Sequence, residues 1–204
     1  YKDRWKERTP DWKPNVYEKE TDPIRAIYSR RADHIMQIGE EAPTAQPDLR
    51  PGQIVIKDLD GYVRDENGNP KVDENGRFML LGRPDGIIDE ADTELIGTLD
   101  PGWMASMTNT FKYKGFDLNI MFNGMFDRIM QDPTEMDFGV NGGGIAQSGY
   151  NMLRTIKDRW TFDNPSTTRP SSYYITGTNY TAGDFFYQKA WFIRLQNISL
   201  GYTP

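Results

Sequence analysis

The chain of 204 residues contains no cysteine and a single histidine, His34. Without cysteine it can form neither disulfide bonds nor thiolate metal sites. One histidine cannot supply a histidine-based zinc site, and a Ser-His-Asp triad cannot be built from this segment alone. The glycines at 142–144 lack the following Lys-Ser/Thr of a phosphate-binding loop. A glycosidase needs only two carboxylates, but acids are too abundant here for any pair to stand out, and we expect no enzyme.

Long hydrophobic runs are also absent. No stretch of 18 apolar residues occurs, which excludes a transmembrane helix. Strands of a membrane barrel carry a much weaker signal per segment, so this absence leaves that class open. The chain is instead rich in glycine (19), proline (13) and aromatic residues (13%). This composition favours an all-β fold with long loops.

Charge is distributed unevenly. Residues 58–94 contain eleven acidic and four basic residues, a net charge of −7, which leaves +1 for the remainder of the overall −6. An acidic block of this kind argues against binding to nucleic acid. It favours either a bound cation or a solvated surface.

A clear hairpin pattern surrounds Lys114-Gly115, which is a candidate two-residue turn. After this turn, apolar residues occupy every second position over about ten residues, the length of a tilted membrane-spanning strand. They begin with Phe116, Leu118, Ile120 and Phe122. A half-buried hairpin of a soluble antiparallel sheet has the same alternation and stays an alternative.

Residues 190–203 predict one long strand. Trp191, Ile193 and Leu195 share one parity, whereas Ile198, Leu200 and Tyr202 share the other. A shift by one residue turns every following side chain to the opposite face. A bulge near Gln196 and Asn197 would keep one face apolar. The strand is longer than an average strand of a soluble sheet and suits a membrane barrel.

Other segments give weaker signals. Thr21-Asp22-Pro23 predicts the start of a short helix, with Ile24, Ile27, Tyr28 and Arg31 on one face. Ser148 is a candidate N-cap of a second helix that extends to about Trp160. Residues 53–57 are a candidate strand. Residues 62–81 predict a small hairpin with Asn67-Gly68 or Asn75-Gly76 at its tip.

Connection lengths suggest how these segments are organised. Membrane barrels have short periplasmic turns and long external loops, so the short Lys114-Gly115 turn is expected on the periplasmic side. Residues 1–97 are then an extracellular loop region with an acidic insertion at 58–94, and 98–126 are a barrel hairpin. Residues 127–189 are a second extracellular loop with a short helix, and 190–204 are a barrel strand. We expect the chain to be an internal piece of a longer polypeptide.

Several short motifs occur in an order and spacing that resemble the SusC/RagA family of TonB-linked outer-membrane transporters. They lie at residues 51–54 (PGQI), 57–61 (KDLDG), 85–92 (DGIIDEAD), 96–97 (IG), 113–118 (YKGFDL), 159–161 with 164–165 (RWT, NP) and 193–202 (IRLQNISLGY). The resemblance covers the chain from about residue 50 to its end.

The resemblance implies a barrel of about 22 strands in the bacterial outer membrane, with an N-terminal plug. It implies nutrient uptake of glycans or oligopeptides by a receptor that works with a SusD-like surface lipoprotein lid. Energy would come from the TonB complex, acting on plug segments that are not part of this sequence. The rival from another class is a soluble extracellular β-protein that binds calcium and glycans, and a secreted glycan-cleaving enzyme is a third alternative.

In the family, the acidic loop resembles a calcium loop. Ca²⁺ prefers six to eight hard oxygen ligands, and a glycine allows the sharp turn between them. Here the loop is split by residues 61–84, so its two ends meet only if that insertion folds back on itself. The candidate ligands of a structural Ca²⁺ are Asp58, Asp60, Asp85, Asp89 and Asp92. The alternative is a solvated loop whose acids serve turns.

Aromatic residues of the second loop are candidates for contact with a substrate or partner, because flat rings stack on sugars and pack against proteins. They are Trp160, Tyr173, Tyr174 and Tyr180. The alternative is that these rings pack the loop against itself or lie in an interfacial girdle near Trp191.

Overall fold

A computed structural model describes residues 15–19, 21–23, 25–140, 149–172 and 183–204 of the chain. The described residues form an all-β protein with short helical turns. The strands are β1 (Ala26–Arg30), β2 (Ala32–Ile35), β3 (Ile54–Ile56), β4 (Thr93–Thr98), β5 (Trp103–Tyr113), β6 (Phe116–Phe126), β7 (Ile129–Gln131), β8 (Tyr187–Lys189) and β9 (Phe192–Tyr202). Two 3₁₀ helices span Glu90–Asp92 and Arg154–Asp158, and a π-helix spans Glu135–Val140. No helix among these residues is both long and apolar enough to span a bilayer.

The chain divides into two compact units. The loop unit comprises Tyr1–Ile96 and Asp132–Phe186, and the sheet unit comprises Gly97–Gln131 and Tyr187–Pro204. β1 pairs with β4, β2 pairs with β3, and β7 pairs with β8. The long strands form a three-stranded sheet in the order β5-β6-β9.

The buried apolar residues of the described chain all lie in the loop unit. One cluster joins Ile54 and Ile56 of β3 to Val140 and Phe186. A second cluster joins Val55 to Met36 and Leu49. Because consecutive residues of a strand point to opposite faces, the three residues of β3 reach both clusters. β3 is therefore buried on both faces.

The sheet unit is built on the predicted hairpin. β5 and β6 pair without interruption from Trp103 opposite Phe126 to Tyr113 opposite Phe116. The connecting residues Lys114 and Gly115 have φ values of 44° and 81°. Positive φ at both central residues is the signature of a type I′ turn, whose twist matches that of the strands it joins. The predicted hairpin and turn are confirmed.

The predicted bulge in the last strand is also confirmed. β9 pairs with β6 so that Met121 lies opposite Asn197 and Phe122 lies opposite Leu195. Gln196 is the extra residue, and it restores the parity of the apolar side chains that follow it. The apolar residues before and after this position thus share one face of the sheet.

Two helix predictions are wrong in their described parts. In place of a helix after Pro23, residues Ala26–Arg30 form β1, because pairing with β4 competes successfully with weak local helix signals. Ile24 of that predicted helix lies outside the described residues. The helix expected from Ser148 to Trp160 is reduced to the 3₁₀ turn Arg154–Asp158, which begins after Leu153 without a side-chain cap. Ser148, its predicted cap, lies outside the described residues.

The insertion at residues 61–84 folds on itself and uses both Asn-Gly turns. Bridges connect Tyr62 with Leu80, Arg64 with Pro70, and Val72 with Phe78. The backbone N–H of Val63 donates to Met79 O, that of Met79 to Lys71 O, and that of Lys71 to Val63 O. The three short segments therefore close a ring of backbone hydrogen bonds.

Candidate functional site

The two ends of the acidic loop meet, as the sequence predicts for a folded insertion. Asp60 Oδ1 accepts hydrogen bonds from the backbone N–H groups of Gly82 (2.7 Å) and Arg83 (3.2 Å), at the far end of the insertion. Asp58 Oδ2 accepts one from Gly86 at 2.7 Å, and its Oδ1 accepts one from Asp85 at 3.3 Å. These side chains clamp the base of the insertion.

Asp92 is the most buried member of the acidic group, with 0% of its surface exposed. Its Oδ1 accepts from the backbone N–H groups of Leu59 (2.7 Å) and Asp60 (3.2 Å), and its Oδ2 accepts from Asp89 (2.8 Å). Burial raises the pKa of Asp92 above its ordinary value, against the lowering effect of these three hydrogen bonds. Asp92 therefore ties the two ends of the loop together from inside.

Arg64 compensates part of the negative charge, and the sequence did not single it out. Its Nη2 lies 3.4 Å from Asp89 Oδ2 and 3.8 Å from Asp85 Oδ2. Its guanidinium also lies over the ring of Tyr62, 5.9 Å from the centroid. Burial, and then the negative charge of Asp89, raise the pKa of Tyr62 to about 12. Arg64 sits inside the insertion, so only folding brings it to the acids.

The structure thus brings all five predicted metal ligands into one hydrogen-bonded region. Within the described residues, however, no group of three or more His, Cys, Asp or Glu side chains is arranged to hold a metal ion. Carboxylates are suitable donors for Ca²⁺, but these already accept from backbone N–H groups and from Arg64. As they stand the side chains do not form a calcium cage, and the structural Ca²⁺ stays a prediction.

A repeat of eight residues underlies the insertion and is visible in the sequence as Asp-Glu-Asn-Gly at 65–68 and again at 73–76. Asp65 Oδ1 accepts from the backbone N–H groups of Asn67 and Asn69, at 2.9 and 2.8 Å. Asp73 Oδ1 accepts from Asn75 and Arg77, both at 2.8 Å. Backbone donors hold the pKa of both carboxyls below the ordinary value. This repeat is the signal that could have predicted two turns rather than one.

Trp160 is buried, with 2% of its surface exposed. Its Nε1–H donates to Gln37 Oε1 at 3.3 Å, and its ring lies so close to Gly52 that a Cβ there would approach Trp160 Cε3 to 2.5 Å. This packing favours the second interpretation, in which the ring fixes the loop against itself. Contact of Trp160 with a substrate stays a prediction. Tyr173, Tyr174 and Tyr180 lie outside the described residues.

One face of the sheet unit is apolar and exposed. In register across β6 and β9, Leu118 lies opposite Leu200, and Ile120 lies opposite Ile198. Leu200 is 71% exposed and Ile198 is 60% exposed. Side chains of the central strand β6 are half-buried, because neighbours flank them on both sides. A contiguous, exposed apolar face of a sheet is typical of a surface that contacts another protein or lipid.

Aromatic rings close this face at both ends. At one end, the rings of Phe126 and Trp103 are stacked with their centroids 3.9 Å apart. The centroid of the Trp191 ring lies 6.4 Å from that of Phe126. At the other end Phe116 lies 4.6 Å from Tyr202. Trp103 and Tyr113, at the two ends of β5, are ten residues apart. At a rise of about 3.3 Å per residue, the two aromatic ends of the face are about 33 Å apart along the strand. A tilt of about 40° reduces this to about 25 Å, the height of the apolar band of a membrane barrel.

The opposite face of the same sheet carries polar side chains in its middle, with Met104, Met125 and Phe192 at one end and Met121 between the asparagines. Asn119 Nδ2 donates to Thr110 Oγ1 at 3.0 Å across β5 and β6. Asn123 Nδ2 donates to Gln196 Oε1 at 3.2 Å across β6 and β9, at the bulge. The hydrogen-bonded amides and hydroxyls of the sheet therefore lie on the face opposite the exposed apolar one.

Comparison with known proteins gives two similar sequences. No protein-family model matches the chain. TonB-dependent receptor P3 of Formosa agariphila is 24% identical over 188 residues, which cover 91% of this chain and 16% of that receptor. TonB-dependent receptor P26 of the same species is 25% identical over 131 residues, 64% of this chain and 12% of the receptor.

The chain spans 16% or less of the length of these relatives. Both are named as receptors, and neither name is that of an enzyme. The match to the first extends over nearly all of this chain, so it includes both the loop unit and the sheet unit. The chain is therefore similar in sequence to two TonB-dependent receptors.

Proposed function

We propose that this chain forms part of the barrel wall and the external loops of an outer-membrane importer of the SusC/RagA type. The importer takes up glycans or oligopeptides together with a SusD-like surface lipoprotein, which acts as a lid over the barrel mouth. The TonB complex drives the plug, and the segments described here perform no bond chemistry. The bacterial outer membrane is the site of action.

The observation that carries this proposal is the exposed apolar face of β5, β6 and β9. Phe111 and Leu200 expose more than half of their surface. A water-soluble protein that left such a face uncovered would associate or aggregate. Lipid tails remove that cost, and the aromatic rows at the two ends suit the two interfaces of a bilayer. The soluble calcium- and glycan-binding alternative needs this face to be a packed core.

Strand ends and edges support the same proposal. β5 and β9, each of 11 residues, are the edges of the sheet. Inside a membrane every backbone N–H and C=O needs a partner, which a closed barrel provides. Further strands of the same barrel would pair with both edges. The two-residue turn at Lys114-Gly115 then lies on the periplasmic side, and residues 1–97 and 127–189 lie outside.

A run of partly exposed apolar residues in the insertion supports the proposed contact with a partner protein. Phe78, Met79, Leu80 and Leu81 are four consecutive apolar residues, each 39–46% exposed. A run of exposed apolar residues in a loop is costly unless it serves a function. We place the contact with the lipoprotein lid on this run.

Two measurements on the full-length protein test the proposal. A strain lacking the gene should lose uptake of a labelled glycan or oligopeptide, and the gene should restore it only while TonB is present. Purification from membranes should also recover a surface lipoprotein, and exchange of Phe78 and Leu80 for serine should reduce that recovery. Uptake that is independent of TonB, or extraction of the protein without detergent, would contradict the proposal.

A further inference from the structure

The single histidine of the chain lies between two carboxylates. His34 Nδ1 is 2.9 Å from Asp33 Oδ2, and its Nε2 is 3.3 Å from Glu40 Oε2. A carboxylate only accepts hydrogen bonds, and a neutral imidazole donates from one nitrogen alone. Both contacts are hydrogen bonds only when the ring carries two protons and a positive charge.

Each of the two carboxylates has a second partner. Lys57 Nζ lies 3.2 Å from Asp33 Oδ1, so Asp33 is shared between Lys57 and His34. Glu40 Oε2 also accepts from the backbone N–H of Gln37 at 2.6 Å. The hydrogen bond to Asp33 is the main cause that raises the pKa of His34. The contact with His34 is likewise the main cause that lowers the pKa of Asp33.

The turn that Glu40 closes holds a distant part of the loop unit. Gln37 Nε2 donates to Ile35 O at 2.7 Å and to Ser166 O at 3.2 Å. Gln37 Oε1 accepts from Trp160 Nε1 at 3.3 Å. A change in the geometry of residues 37–40 therefore reaches the buried tryptophan and the segment that follows it.

We propose that His34 is a proton-operated clasp, whose protonated ring joins β2 to the turn at residues 37–40 and whose deprotonation breaks the contact between the ring and Glu40. The bond to Asp33 survives in the neutral tautomer that keeps the proton on Nδ1, whereas the longer contact to Glu40 is lost. Because the pKa of His34 is raised on folding, the clasp is fully formed below the unfolded value of about 6.5. The clasp opens as the pH rises through the pKa of His34 in the folded protein, which is higher than the unfolded value.

Hydrogen exchange of the full-length protein in a membrane mimetic, read by mass spectrometry, tests this proposal. Peptides over residues 36–41 are followed between about pH 5.5 and about pH 8.5, with correction for the intrinsic exchange rate. Their protection should fall roughly two- to fivefold as the pH rises, the effect of an exposed ion pair. Protection of β3 serves as the check that the loop unit remains folded.

Variants separate the clasp from a general effect of pH. His34→Gln and Glu40→Gln should each remove the pH dependence and leave the turn at its high-pH protection. Glu41→Gln, at the neighbouring exposed position, should keep the dependence. If His34→Gln also lowers the protection of β3, that variant disturbs the fold of the loop unit. Glu40→Gln then decides the test, because its substitution lies outside β2. Constant protection in the unmodified protein, or pH dependence that persists in Glu40→Gln, would overturn the proposal.

Discussion

The carboxylate of Asp92, which has no exposed surface, accepts a hydrogen bond of 2.7 Å from the backbone N–H of Leu59. The two residues stand on opposite sides of the insertion in the chain. A third residue, Asp89, donates to the other oxygen of the same carboxylate at 2.8 Å. This arrangement makes Asp92 a structural centre of the acidic loop, whether or not a cation binds nearby.

Replacement of Asp92 by alanine should open the base of the insertion. Three backbone N–H groups, of Leu59, Asp60 and Asp89, would lose their acceptor, and the loop should lose about 3 kcal/mol of stability. Faster hydrogen exchange at these three amides is the measurement. Glu90→Ala is the matched control, because Glu90 lies in the same 3₁₀ helix with an exposed side chain. It should change stability by no more than about 0.5 kcal/mol.

Calcium removal should leave the acidic loop intact. Backbone donors and Arg64 already compensate the carboxylates, so treatment of the full-length protein with a calcium chelator should not change hydrogen exchange over residues 58–64 and 82–92. A chelator-induced loss of protection that Asp58→Asn abolishes would instead establish the calcium site predicted from the sequence.

Trp160→Ala should destabilise the loop unit by about 3–5 kcal/mol, because it removes a fully buried ring and leaves a cavity beside Gly52. Limited proteolysis within residues 149–172 measures this effect. Phe162→Ala is the control, since its ring lies 5.1 Å from that of Trp160 but is 66% exposed. Unchanged proteolysis combined with weaker substrate binding in Trp160→Ala would favour direct contact with the substrate.

A positive charge on the apolar face should interfere with membrane insertion. Ile198→Arg places a guanidinium near the middle of β9, at a cost of about 2–4 kcal/mol if the residue contacts lipid. Asn197→Arg, one position earlier, lies on the opposite face and should be tolerated. The folded fraction in the outer membrane, read from heat-dependent electrophoretic mobility, compares the two variants. Equal effects of the two would contradict a lipid-facing position for Ile198.

Local periodicity was sufficient to predict the turn at Lys114-Gly115, the strand β6 and the bulged strand β9. The alternation after Gly115 and the change of parity at Gln196 each depend on neighbouring residues alone, and both predictions are confirmed. The short strands β1, β2, β4, β7 and β8 were missed, because pairing with partners distant in sequence decides such strands. The π-helix Glu135–Val140 gave no recognisable signal.

For the acidic loop, the sequence predicted that the two ends meet but not what each side chain does. The sequence indicated that the acids at 58–60 and 85–92 meet if the insertion folds, and its Asn-Gly turns gave the reason. The roles of individual side chains depended on long-range geometry. Neither the salt bridges of Arg64 nor the burial of Trp160 follows from the spacing of residues in the chain.

Accessibility along β6 tests the central claim most directly. Single cysteines are introduced at consecutive positions from 116 to 123 in a cysteine-free form of the full-length protein, labelled with a fluorophore and exposed to lipid-bound and water-soluble quenchers. The account predicts quenching from lipid at Phe116, Leu118, Ile120 and Phe122, and quenching from water at the positions between them. Equal quenching at both sets, or apolar positions reached by neither quencher, would contradict the assignment of this face to the bilayer.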